Sequence, residues 1–130
     1  MPVTNKFYPD FHKAIELHND GKYEEAIKLY TKVLTECDNH VSARNNRACV
    51  YDDLGMYKEA IDDLNIAIES FPEYDDAYCN RAHINMKMKL YESALHDYRT
   101  AINIRHPAYY ERELVTLVHG DQLIYSDWED

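Results

Sequence analysis

The chain has 130 residues, 45% apolar and 29% charged, with 3 glycines and 4 prolines. That suits one domain with a real core, built of helices joined by short turns. The net charge of −10 argues against nucleic acid and anionic membrane surfaces, which call for clustered Lys and Arg. No apolar run reaches the roughly 18 residues of a membrane span, and the first six residues lack the apolar stretch of a secretory leader. Cys37, Cys49 and Cys79 have no paired spacing. They read as free thiols in a reducing compartment, so a cytoplasmic location is expected.

One stretch recurs along the chain. Tyr23-Glu24-Glu25-Ala26-Ile27 is echoed by Tyr57-Lys58-Glu59-Ala60-Ile61 and again by Tyr91-Glu92-Ser93-Ala94-Leu95, 34 residues apart each time. A fixed period of this length means stacked units, none able to bury its apolar face alone. With the first place at Phe7, Val41 and Asp75, a short extension (1–6) precedes repeats 7–40, 41–74 and 75–108. Each repeat reads as helix, tight turn, helix. Pro9 suits the first turn of the first helix. Gly21 and Gly55 mark helix stops, with Lys89 standing at the same place in the third repeat. The second helices carry apolar residues at spacings of three and four, as in Ala26, Ile27, Tyr30, Val33 and Leu34. Small residues at the eighth place (Ala14, Ala48, Ala82) and the twentieth (Ala26, Ala60, Ala94) let paired helices approach closely. Large ones at the twenty-fourth (Tyr30, Leu64, Tyr98) fill the space beside them. Beyond the third repeat, apolar residues between Tyr109 and Tyr125 predict a capping helix over about 108–125. Residues 126–130 are an acidic tail around Trp128.

The pattern of small, large and aromatic places resembles the tetratricopeptide repeat. The resemblance implies an all-α fold, a right-handed superhelical α-solenoid of three helix-turn-helix units whose last apolar face a terminal helix would cover. The departures lie in the first helices. The usual bulky residue of the fourth place is Asp10, Arg44 and Tyr78, and the seventh place, usually Leu, holds Lys13, Arg47 and Arg81. Asp63 and Asp97 occupy the twenty-third place of the two repeats that carry the arginines, while repeat one has Leu29 there. This joint presence predicts Arg47–Asp63 and Arg81–Asp97 ion pairs, each with a guanidinium matched to a carboxylate.

In the resembled fold, first helices line a concave groove that binds peptides. The groove places include Phe11 and His12 of repeat one; Asn45, Asn46, Cys49, Asp52 and Asp53 of repeat two; and Asp76, Asn80 and His83 of repeat three. Asn46 and Asn80 share one place, and their side chains could hold the backbone of an extended chain; asparagines at this place grip substrate backbone in relatives such as the O-GlcNAc transferase. The same residues could instead bond neighbouring helices. Family members that clamp the terminal carboxylate of heat-shock chaperones use Lys, Asn, Asn, Lys and Arg. The matching positions here are Phe11, Ile15, Asn46, Asp76 and Asn80, of which Asn46 alone agrees. With Asp52, Asp53 and Asp76 present, an acidic tail is expected to be repelled.

The seven histidines are too scattered for a metal site; Cys79 and His83 are the one pair at ligand spacing, too few ligands for a site. No phosphate loop or nucleophile elbow occurs. Neither enzyme activity, cofactor nor metal is expected. The leading expectation is a non-enzymatic adaptor or scaffold that binds, in the groove, an extended peptide or partner helix that is neutral or basic with apolar anchors. The alternative is a structural or self-associating subunit, such as a homodimer, that uses the groove or the end surfaces. The acidic tail resembles the tryptophan–acidic motifs that dock in kinesin light chain repeats, so self-occupancy is a third option.

Overall fold

A computed structural model describes residues 6–107. Six α-helices follow one another among them: α1 (Tyr8–Asn19), α2 (Tyr23–Glu36), α3 (Val41–Asp53), α4 (Tyr57–Ser70), α5 (Asp75–Lys87) and α6 (Tyr91–Arg105). The helical starts at Tyr23, Tyr57 and Tyr91 fall on the recurring tyrosines. The predicted capping helix and the tail at 126–130 lie outside the described residues.

The same local code makes each helix pair. α1 opens with Pro9 in its first turn, where the missing N–H costs no helical hydrogen bond. Each first helix ends in the same backbone hook. Lys22 N–H donates to Leu17, Met56 to Tyr51 and Leu90 to Asn85, each at 2.8 Å. The hook needs a left-handed residue, supplied by Gly21 (φ 77°), Gly55 (φ 76°) and Lys89 (φ 63°). Lysine takes that conformation against its Cβ, so the third turn is strained relative to the first two.

All six repeat alanines of the eighth and twentieth places are buried. Tyr30 and Leu64 fill the twenty-fourth place without exposure, as the large residues there require. Each helix packs on the next, and α1 also touches α3, as α3 touches α5. The first helices therefore form the crowded inner layer and α2, α4 and α6 the splayed outer one, which curves the stack inward over α1, α3 and α5. One apolar cluster joins Ala14, Tyr30, Val33, Ala43 and Val50 across repeats one and two. A second joins Ala48, Ala60, Leu64, Ala77 and Ile84 across repeats two and three.

Candidate peptide-binding groove

The inner face is braced from repeat to repeat. His18 Nε2 lies 2.6 Å from Asp53 Oδ2. Asn80 Nδ2 donates to Asn45 Oδ1 at 2.9 Å. Lys87 Nζ donates to Asp52 Oδ1 at 2.9 Å. Each pair is separated by 35 residues in sequence. Inner helices are offset, so one place of a repeat meets the following place of the next. Comparing equal places, 34 apart, conceals these contacts. Complementary residues at i and i+35 were the signal that could have revealed them.

The braces bear on two expectations. Asn80 does not stand free as a second backbone rung beside Asn46, because one of its donors is committed to Asn45 on the neighbouring helix. Asn45 is itself buried, so it is part of the joint between repeats. The groove carboxylates are also not a bare acidic lining. Asp52 is matched to Lys87 and Asp53 to His18. Asp76 accepts from Arg105 Nη2 at 2.7 Å, and Arg105 Nε donates to Asp75. The Arg105 guanidinium holds the Asp75 carboxyl below the usual carboxylate range. Repulsion of an acidic ligand is correspondingly weaker than the sequence suggests. What opposes such a ligand is the engagement of Lys87 and Arg105 with internal carboxylates.

Asn46 is half-buried and free of the bond that holds Asn80. Its amide stands beside the Tyr30 hydroxyl and eases that group's ionisation, yet no hydrogen bond of full geometry joins the two, and the buried hydroxyl has no partner. Burial dominates and pushes Tyr30 up to about 12. Burial likewise pushes the neighbouring Cys49 thiol up to about 11, helped by Asp52 and Asp53. Cys49 is thus held as a neutral thiol, suited to apolar contact.

The end formed by α1 is aromatic. The Tyr8 and His12 rings meet at a tilt of 43°, with centroids 4.0 Å apart. Phe11 lies 5.0 Å from the His40 ring and 6.1 Å from Tyr30. Phe11, predicted as a ligand contact, is therefore largely the edge of the core, packed against its buried cluster. Tyr8 is 58% exposed and His12 is exposed; these two present the shelf. His83 is exposed on α5, four residues from Cys79. Among the described residues, no group of three or more side chains could hold a metal ion, and no helix is long and apolar enough to cross a membrane.

Behind the groove, Arg47 donates to both oxygens of Asp63, from Nε at 2.7 Å and Nη2 at 2.6 Å. Arg81 does the same to Asp97, at 2.8 and 2.7 Å. Both carboxylates are buried. Each arginine also reaches back to the preceding repeat. Arg47 Nη1 donates to Thr31 Oγ1 at 3.0 Å and Arg81 Nη1 to Asn65 Oδ1 at 2.8 Å. The pairs thus join repeats as well as helices, a role that sequence reasoning missed. Arg44 adds a weaker contact to Asp63 at 3.5 Å.

A tetratricopeptide repeat family model matches residues 11–40, 41–74 and 75–105. The chain belongs to the tetratricopeptide repeat family. Among its curated relatives, this tetratricopeptide repeat chain is 33% identical over 90 residues to Hsp70-Hsp90 organizing protein 1 of Glycine max, covering 69% of this chain and 16% of the relative. It is 33% identical over 91 residues to the mitochondrial import receptor subunit TOM70 of Rattus norvegicus, covering 66% of this chain and 15% of the relative. The chain therefore spans a small part of these proteins' length. Among solved structures, the TPR2B domain of yeast Sti1 in its pHsp70 complex superposes with a TM-score of 0.73 at 27% identity, covering 89% of this chain and 95% of that one. The first repeat domain of Spaghetti (RPAP3), bound to the HSP90 peptide SRMEEVD, gives 0.75 at 24% identity, covering 91% and 97%. The second likeness speaks to the fold alone.

Proposed function

We propose that this chain is a non-enzymatic adaptor whose inner face binds an extended segment or helix of another protein, neutral or basic with apolar anchors. The observation that carries the reading is the division of the inner face. Most of its polar groups are closed into braces between repeats, whereas Asn46 and the Tyr8–His12 shelf are left to a ligand. Asn46 would hold backbone, and the shelf an apolar or aromatic anchor. The similar repeat domains of Spaghetti and yeast Sti1 are themselves seen bound to an HSP90 peptide and in a pHsp70 complex, which supports a protein or peptide ligand. A carboxylate clamp is not part of the proposal. Phe11, Asp76 and Asn80 supply no cation at the places where the clamp uses Lys, Lys and Arg, and Arg105 is already engaged. A cytoplasmic location belongs to the same proposal, supported by the three unpaired cysteines.

The test is capture of bound proteins from lysate by the full chain and by Asn46→Ala with Tyr8→Ala, run beside fluorescence anisotropy on the labelled peptide SRMEEVD. A partner that is captured by the wild type and lost with the double variant is expected, as is no binding of SRMEEVD. Retention of every partner would overturn the groove, and tight binding of SRMEEVD would overturn the choice of ligand. A second reading, self-association, has one observation in its favour: among the described residues, Leu90, Tyr91 and Leu95 of repeat three are each exposed. Light scattering on the full chain decides it.

A further inference from the structure

The outer face carries an open notch of about 420 Å³, where α4 and α6 flank α5. Ile61, Arg81, Asn85, Glu92, Ser93 and His96 line it. It lies on the convex side, apart from the groove. The repeat explains why it is open. At the eleventh place, where repeat three has Asn85, repeat two has Tyr51. The Tyr51 ring packs against the cluster of Ala48, Ala60 and Leu64, and the guanidinium carbon of Arg47 stands 5.7 Å from its centroid. In repeat three the ring is missing. Arg81 turns to the Tyr78 ring instead, also at 5.7 Å, and its side chain is 23% exposed against 16% for Arg47. Asn85 is buried, yet its side chain makes one long hydrogen bond, Nδ2 to Asp97 Oδ2 at 3.4 Å. A buried amide so thinly bonded is ready for a better partner.

We propose that this notch accepts a tyrosyl side chain from a partner protein, in the position that Tyr51 fills one repeat earlier. Ile61 supplies the apolar wall and Arg81 the cation for the ring face. Glu92, Ser93 and His96 form a polar rim for the hydroxyl. The ring must be uncharged, since Glu92 and Asp97 flank it and would repel a phosphotyrosine. The site is independent of the inner groove.

The probe is N-acetyl-tyrosinamide, titrated into the isotope-labelled full chain and followed by amide chemical shifts, with N-acetyl-alaninamide as control. A fragment of this size should bind with a Kd on the order of 1 mM and move the amides of Ile61, Asn85 and His96. Asn85→Tyr, which fills the notch from within, should abolish those shifts and raise Tm. Ser93→Phe, at an exposed rim position where folding is not at stake, should abolish them as well. Asn46→Ala in the groove should leave them unchanged. Shifts no larger than the alaninamide control, or shifts that persist in both filled variants, would overturn the proposal.

Discussion

Repeat one and repeats two and three solve the same packing problem with opposite chemistry. At the seventh and twenty-third places, repeats two and three bury an arginine against a carboxylate. Repeat one has Lys13, exposed and 3.6 Å from its neighbour Glu16, and Leu29, packed against the apolar cluster. The place that holds Asp63 and Asp97 in repeats two and three therefore accepts an aliphatic side chain in repeat one. What the helix pair requires there is a satisfied group, apolar or fully paired, and a lone charge is the one option excluded. The charged version adds something the apolar one does not, because each arginine also bonds the repeat before it.

The sharpest way to break this comparison is Arg81→Met. It strands Asp97, which is buried, and should cost about 3 kcal/mol or more. Adding Asp97→Leu converts the pair to the chemistry of repeat one and should recover most of the loss. Urea unfolding followed by circular dichroism measures both. If the single variant unfolds at the wild-type midpoint, the pair contributes nothing and the comparison fails.

Alkaline pH should expose the other side of the contrast. Repeat one places Tyr30 where repeat two has Leu64, so only the first seam carries a buried ionisable ring at that place. Its folded value of about 12 lies above the ordinary 10, and that of Cys49, about 11, above 9. Native packing therefore favours the neutral forms. This contribution is fully present below the unfolded values and fades as pH rises through 11 and 12. At about 1.4 kcal/mol per pKa unit, the two-unit rise of Tyr30 alone should take away roughly 3 kcal/mol. Tyr30→Phe should flatten the alkaline fall in Tm and leave stability near neutrality unchanged or higher, since the lost hydroxyl has no partner. An alkaline profile identical to that of the wild type would contradict this assignment.

The solenoid was legible because alanine and tyrosine places repeat at a period that no loop interrupts, and because Gly21 and Gly55 name the turns. The ion pairs were legible because Arg and Asp appear and disappear together. The braces were not. His18–Asp53, Asn45–Asn80 and Asp52–Lys87 are chemically unlike one another and sit one residue off the repeat, so no column of equal places contains them. Asn46 and Asn80 share a place but differ in state, since only the second has an asparagine facing it from the previous helix. The Arg105 contact to Asp75 and Asp76 joins the end of α6 to the start of α5, which depends on how that helix pair closes.

A smaller effect tests whether the turns of the three repeats are interchangeable. Lys89 holds a left-handed φ of 63° where the other repeats use glycine. Its side chain is exposed, so Lys89→Gly removes strain without removing packing. Relief of the left-handed penalty, about 1 to 2 kcal/mol, is partly offset by the greater freedom of glycine in the unfolded chain. A net gain of about 1 kcal/mol is expected, read as a higher urea midpoint. The reverse change, Gly55→Lys, should lose a similar amount. A loss on Lys89→Gly would mean that the third turn has adapted to its lysine.

The smallest effect concerns the braces themselves. Lys87 is partly exposed, with 37% of its side chain accessible, while the Asp52 side chain is 12% accessible. Such a pair is worth about 0.5 kcal/mol, far below the buried arginine pairs behind it. Lys87→Met should lower Tm slightly, by an amount that shrinks in high salt as the charges are screened. Its larger consequence is electrostatic, because Asp52 would then face the groove unmatched. A basic ligand should bind the variant more tightly and an acidic one more weakly, a divergence that a purely structural lysine would not produce. If both ligands respond alike, Lys87 acts only through the joint between repeats two and three, and the charge of the groove is set elsewhere.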